Sequence, residues 1–261
     1  MFINSTSLII PTKDRLDHLK RLFDSLKENI ESFDEILLVD SSIETTHLNI
    51  IRYFSNNTNL KVIKSIPSSS IQRNIGIKVS NKNNKFIMFC DDDIIFDKNS
   101  LDNMDKFIKI HESHVGFGFN SIENFKYKKF ENLKKTKILA KNGFYHFKPG
   151  IVCENGWHTK INNVKENFET MWLSTQSCVY QRKYIRDIIF DNNLGKYSYL
   201  EDLFFSYDMY KKGKLIICST AKYYHKNFIE RKNFWFGYQE VVNRYKFVKK
   251  NNLNIFKFYI T

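Results

Sequence analysis

Lys85-Phe86-Ile87-Met88-Phe89-Cys90-Asp91-Asp92-Asp93 runs five apolar residues straight into three carboxylates. A segment this apolar has no solvent face, so it reads as a strand covered on both sides within a sheet. Three like charges a few ångströms apart repel one another, and something must neutralise them. Asp91 and Asp93, alternate carboxylates at a strand end, suit a hard divalent cation, which takes oxygen ligands and commonly bridges to a diphosphate. The other reading makes Asp93 or Asp97 the cap of a helix beginning near Ser100. That accounts for one aspartate and leaves the other two without a role.

Upstream the same unit repeats. Thr6-Ser7-Leu8-Ile9-Ile10 is a short buried strand stopped by Pro11, and Thr12 or Asp14 can cap a helix with apolar residues Leu16, Leu19, Leu22, Phe23, Leu26 and Ile30. Glu35-Ile36-Leu37-Leu38-Val39 ends in Asp40, Ser41 and Ser42; a helical segment around Leu48, Ile51 and Phe54 follows, then a strand at 60–63. Residues 68–70 can cap a helix carrying Ile71, Ile75 and Val79. This β-α alternation predicts an α/β fold with a Rossmann-like, mainly parallel central sheet flanked by helices. Ligands of such sheets bind beyond the carboxyl ends of the strands, where Pro11, Asp40 and Asp91 share one crevice. Downstream, 101–110 reads as a helix, 115–172 as antiparallel strands and loops, and 179–190 as a regular segment. Residues 199–212 read as a helix closed by Gly213, and 215–218 as a strand.

The 261 residues suffice for one sizeable core, and 9 Gly with 3 Pro exclude a collagen-like or disordered chain. No uncharged apolar run reaches the roughly 18 residues of a membrane span, and the first residues lack a signal-peptide pattern. The expected location is therefore cytoplasmic, with peripheral contact at the inner face of the cytoplasmic membrane. Cys90, Cys153, Cys178 and Cys218 stand far apart with no C-x-x-C pair, which points to buried thiols rather than zinc or disulfides. The net charge of +13 belongs to the second half: residues 1–120 hold 15 Lys and Arg against 16 Asp and Glu, and 121–261 hold 26 against 12. No helix-turn-helix, zinc-finger or RNA-recognition pattern accompanies it, so nucleic acid is not the expected partner. An anionic membrane face, a phosphate-bearing substrate or a solvated lysine surface fits the charge.

Tyr199-Leu200-Glu201-Asp202-Leu203 sets two carboxylates at a helix start, where the macrodipole favours them. Beside a metal site the pair also offers the base that displacement by an alcohol requires. Pro11-Thr12-Lys13-Asp14-Arg15, Asp40, Ser70-Ile71-Gln72-Arg73-Asn74-Ile75-Gly76, Phe89-Cys90-Asp91-Asp92-Asp93 and Glu201-Asp202 follow the order and spacing of family 2 glycosyltransferases. Residues 6–225 resemble that family, whose fold is GT-A.

The resemblance implies an inverting, metal-dependent transfer of a sugar from a nucleotide-sugar donor to a hydroxyl of a glycan or lipid-linked glycan. Bacterial surface polysaccharide, lipopolysaccharide or capsule, is the implied product, and Mg²⁺ or Mn²⁺ the implied cofactor. It implies donor base and ribose contacts from Pro11, Thr12, Lys13, Asp14, Arg15 and Asp40, and further donor contacts from Arg73, Asp91 and Asp92. The cation falls to Asp91 and Asp93, with His225 completing the site. Asp202 is the implied catalytic base, with Glu201 on the acceptor side; the helix start favours its charged form, so a weak base acting late is expected. Leu200 stands where many relatives carry a glycine directly before the E-D pair, and residues 174–177 lack the glycine that often precedes them.

On this reading residues 1–120 bind the nucleotide-sugar, 121–225 hold the acceptor and the base, and 226–261 form a basic, aromatic, helical tail. Trp157 and Trp172 are acceptor-stacking candidates, with core packing as the alternative. The tail, with 8 Lys and Arg against 2 Glu among its aromatics, reads either as an interfacial helix on an anionic membrane or as a helix docked on the domain. Two other functions are weighed. A nucleotidyltransferase also sets aspartates on an α/β sheet, but the first β-α turn has no G-x-G phosphate loop. A non-catalytic binder of nucleic acid or anionic surfaces would use the basic half and treat the aspartates as structural.

Overall fold

The computed structural model describes residues 1–122, 137–195, 198–225 and 234–261. Its helices are α1 (Leu16–Leu26), α2 (Glu44–Tyr53), α3 (Ser69–Val79), α4 (Ser100–Ile110), α5 (Lys137–Lys141), α6 (Glu201–Tyr210), α7 (Phe234–Lys250) and α8 (Ile255–Ile260). Four parallel strands, β1 (Thr6–Thr12), β2 (Glu35–Asp40), β3 (Leu60–Lys64) and β4 (Phe86–Cys90), build half of one sheet. The other half is mixed. It holds β5 (Ile94–Phe96), β6 (Gly116–Ile122), β7 (Phe168–Thr170), β8 (Ser177–Gln181) and β9 (Leu215–His225), in the overall order β3-β2-β1-β4-β8-β6-β9-β5 with β7 beside β9. β5, β7 and β8 run against the others, so the sheet is mainly parallel, as the β-α alternation predicts.

Successive strand residues serve opposite faces. Leu8, Ile10, Leu38 and Met88 pack with Leu19, Leu22, Met104 and Phe107 of α1 and α4; Ile9, Leu37, Val39 and Phe89 pack with Phe205 and Met209 of α6. On that second face α3 approaches β1 so closely that a methyl group on Gly76 would overlap Ile9. All four cysteines are buried and unbridged.

Several local expectations are corrected. β1 runs through Pro11 to Thr12, because its ladder to β4 ends at the Ile9–Phe89 pair and the absent N–H lies beyond it. Neither Thr12 nor Asp14 caps α1: Arg15 is the flanking residue, and Asp14, at φ +53°, accepts the Ile43 N–H instead. α4 follows Asn99 without a side-chain cap, so neither Asp93 nor Asp97 is consumed there. Residues 115–172 contain β6, which runs parallel to β9, as well as antiparallel pairing.

α7 docks through buried Asn243, Arg244, Phe247 and Val248; Phe247 meets Phe204 and Tyr207 of α6, and the Asn243 amide donates to the Leu194 and Tyr199 carbonyls. The first residues of the expected tail, 226–233, lie outside the described residues. Among the described residues no helix is long and apolar enough to cross a membrane.

Candidate active site

The carboxyl ends of β1, β4 and β9 and the start of α6 meet at one edge of the sheet, where Arg73 pairs with the first member of the acidic triplet and Arg15 is shared by the other two. The Arg73 side chain, only 3% exposed, donates from Nη2 to Asp91 Oδ1 at 2.7 Å and from Nη1 to Glu201 Oε1 at 2.8 Å. Asp92 accepts from Thr12 Oγ1 at 2.7 Å and from Arg15 Nη1 at 3.1 Å. The same Arg15 nitrogen reaches Asp93 Oδ2 at 3.0 Å, and Asp93 Oδ1 faces His225 Nε2 at 3.2 Å. Asp202, beside Glu201, accepts the Leu203 N–H at 2.8 Å.

Burial pushes Asp92 up to about 7, Glu201 up to about 7 and Asp202 up to about 6. It also raises Asp91, against the pull of Arg73. Asp93 is partly buried, but His225 and Arg15 hold it below the ordinary carboxylate range. For Asp202 this reverses the expectation: withdrawal from water outweighs the helix start, and the group is a stronger base than an exposed aspartate.

Other assignments shift as well. Arg73, expected to touch the donor, has its guanidinium committed to Asp91 and Glu201, and Glu201, expected on the acceptor side, is its partner. Asp40 is fully buried; its carboxylate binds His47 Nδ1 at 2.7 Å and the Ser42 N–H at 2.9 Å. Ser42 Oγ in turn accepts the Asp14 N–H at 2.6 Å. Asp40 therefore orders the loop behind the crevice and does not face it. Trp172 is 6% exposed, donates Nε1 to the Thr159 carbonyl at 3.1 Å and packs with Leu200, Leu203 and Phe204, so it is a wall rather than a stacking platform. Trp157 lines a cleft of about 740 Å³ with Tyr145 and Phe168, and Arg244 covers one face of its ring at 4.6 Å. Pro11 is half-buried, and Lys13 and Asp14 are exposed at the lip. Leu200 adopts φ +73°, the left-handed region that glycine favours, with its side chain in the core.

Gln72, which sequence reading leaves without a role, donates its buried amide to the Thr12 and Val39 carbonyls at 2.9 and 2.7 Å and clamps the ends of β1 and β2. Its polarity on the inner face of α3 is the signal that could have found it.

Asp93 Oδ1 and His225 Nε2, in contact as an ion pair, are the side-chain atoms whose spacing can be compared with that of a divalent cation's ligands. Two neighbouring octahedral ligands, each about 2.1 Å from the metal, stand about 3 Å apart, and these atoms are 3.2 Å apart. Among the described residues no three His, Cys, Asp or Glu side chains converge, and Asp91, the other expected ligand, is turned to Arg73. Two protein ligands still suit a cation whose remaining positions are filled by water and substrate phosphates.

A parallel half-sheet ending in an acidic triplet, joined to a mixed half that returns a carboxylate-bearing helix to the same edge, defines a GT-A domain. The chain belongs to glycosyl transferase family 2, whose sequence profile matches residues 7–189. Among solved structures, S. aureus TarS 1-349 in complex with UDP-GlcNAc superposes with a TM-score of 0.59 at 20% identity, over 87% of this chain and 60% of that one. GalNAc-T7 with UDP, GalNAc and Mn²⁺ gives 0.65 at 14% identity, over 87% of this chain and 44% of that one. The chain thus spans less than two thirds of these structures, and the likeness is one of fold. No curated protein matches it significantly.

Proposed function

We propose that this chain is an inverting, metal-dependent glycosyltransferase that moves a sugar from a nucleotide-sugar to a hydroxyl of a glycan or lipid-linked glycan, in the synthesis of a surface polysaccharide. Residues 1–120 serve the donor, and residues 121–225 the acceptor and the base. The observation that carries the reading is the ion-pair chain Asp91–Arg73–Glu201, which fastens the acidic strand end to the first turn of the helix bearing Asp202. Family membership supports it, as do the UDP-GlcNAc held by TarS and the UDP and Mn²⁺ held by GalNAc-T7. A lipid-linked acceptor implies peripheral attachment at the inner face of a cytoplasmic membrane.

Asp93 and His225 would hold Mg²⁺ or Mn²⁺, which when bound supplies positive charge to a leaving diphosphate. Arg15 adds a cation at the same strand end, fixed there by Asp92 and Asp93 before substrate arrives. Asp202 takes the proton of the attacking hydroxyl, and attack opposite the leaving group inverts the anomeric carbon. Release of a nucleoside diphosphate, rather than pyrophosphate, separates this reaction from nucleotidyl transfer.

A thermal-shift panel of UDP-, dTDP-, GDP- and CMP-sugars, with and without Mn²⁺, tests the reading. One nucleotide is expected to raise the melting temperature, more so with Mn²⁺; no response to any member overturns it. In Asp93→Ala the Mn²⁺-dependent part of the shift should vanish, while the melting temperature without ligand stays close to that of the parent. Because the base works ionised and Asp202 titrates at about 6, kcat is expected to be level above that pH and to fall about tenfold per unit below it.

A further inference from the structure

Residues 174–177 lead into β8 at the same edge of the sheet as the acidic triplet. β8 stands between β4, which delivers Asp91, and the β6–β9 pair, which delivers His225. On its face Tyr180 meets Phe205 of α6, with ring centroids 5.4 Å apart. The start of β8 therefore lies between the cation end of the site and the helix that bears the base.

Gln176 is the residue at that start, and it is tied to both neighbours. Its backbone carbonyl accepts the Asp91 N–H at 3.0 Å, and its own N–H donates to Ser174 Oγ at 3.3 Å. Its side-chain Oε1 accepts the Tyr223 hydroxyl at 2.9 Å. Tyr223 is only 2% exposed and stands two residues before His225 on β9, so it is a firm anchor. With the oxygen end of the amide taken, the nitrogen end is what remains: Nε2 meets no acceptor among the described residues and is not enclosed, the residue being half-buried. An amide held by its oxygen presents two N–H donors. The charged groups at this edge, by contrast, are spent on one another in the pairs of Asp91, Asp92, Asp93 and Glu201 with Arg73, Arg15 and His225.

Position decides what such a donor reads. Attack opposite the leaving group places the reacting sugar between the diphosphate, at the Asp93–His225 end, and the base, Asp202. A diphosphate is met by cations; a neutral donor between the two ends faces the sugar. We propose that Gln176 contacts the transferred sugar and selects it, Nε2 donating to an oxygen of that sugar, a ring hydroxyl or the carbonyl of a substituent, with Tyr223 as the positioning residue. The proposal rests on the glycosyltransferase reading and deepens it. A site built to hydrogen-bond a substrate oxygen rejects the analogue that lacks it, because its own group is then left unpaired.

The test compares the parent with Q176L, which keeps the side chain's bulk without the amide, and Y223F, which keeps the amide without its anchor. Each is titrated with the nucleotide-sugar that answers the thermal-shift panel and with the bare nucleoside diphosphate of the same base. Q176L is expected to bind the nucleotide-sugar about tenfold more weakly, the worth of one hydrogen bond, and the nucleoside diphosphate as the parent does. Y223F should show a smaller loss confined to the same ligand, seen as a raised KM at nearly unchanged kcat. Parent-like affinity of Q176L for the nucleotide-sugar overturns the proposal and leaves the transferase reading standing. So does an equal loss for the bare diphosphate, which would make Gln176 a support of the Asp91 strand end. Should Q176L fail to fold, Y223F decides, and parent-like KM in that variant overturns the proposal. A parent that binds no nucleotide-sugar at all removes the reading, and the proposal with it.

Discussion

Replacing Arg73 with alanine is expected to lower the melting temperature by on the order of 10 °C, from the roughly 3–5 kcal/mol cost of leaving a buried ion pair half-made. The guanidinium is almost wholly enclosed and joins carboxylates from two elements, so its loss strands Asp91 and Glu201 together. Donor binding and transfer should both fail, because the strand end and α6 lose their tie. Arg73→Lys is expected to rescue little, since a single ammonium cannot span both carboxylates as a planar fork does. The deficit has a sign in pH. Burial already raises Glu201 to about 7, and without the cation it would rise further. A carboxylate whose folded pKa lies above its unfolded value destabilises the fold wherever it must ionise. Acid relieves that cost, so the gap between variant and parent should be narrower at pH 5 than at pH 8. Thermal melts of the three proteins at those two pH values check this.

Asp202→Asn is expected to cut kcat by about 10²–10⁴ while the nucleotide-sugar shift is retained. The amide keeps the acceptor for the Leu203 N–H and loses only the ability to take a proton. The same change should make the protein sturdier at pH 8 and no sturdier at pH 4. Asp202 titrates at about 6 when folded, so its ionised form is a burden above that pH and is absent well below it. Parent-like turnover in this variant would remove Asp202 as base, and an unaltered melting temperature at pH 8 would contradict the cost of its partial withdrawal from water.

The parallel half of the fold was readable because its strands are continuous apolar runs bounded by turn residues, and burial on both faces leaves that signature in the sequence alone. β5 escaped notice, and β7 was covered only by the general expectation of antiparallel strands in 115–172: three residues each, they are strands only because β9 pairs with them. Pro11 was misread as a stop because what excuses it, the end of the β4 ladder, lies in another segment. At the site, the acidic triplet and the E-D pair were legible as charges in costly positions and the family resemblance set His225 beside Asp93, whereas the arginine partners were not legible as such. That Arg73 bridges Asp91 to Glu201, 128 residues away from it, and that Asp40 turns inward to His47, are facts of tertiary packing. Asp202 shows the limit of local rules. A helix start favours its charge, yet partial withdrawal from water decides the outcome.

β9 works as a ruler. It starts deep in the sheet at Leu215 and is measured out against β6 and then β5, so that His225 arrives opposite Ile94, next in the chain to Asp93. Side chains alternate along a strand, so a single residue added between Tyr223 and His225 would swing the imidazole to the far side and part it from its carboxylate. An extra residue near the irregularity at Phe119 and Asn120, where the pairing already skips, would be absorbed before reaching that end. Length variation should therefore be tolerated midway along this strand and forbidden at its tip.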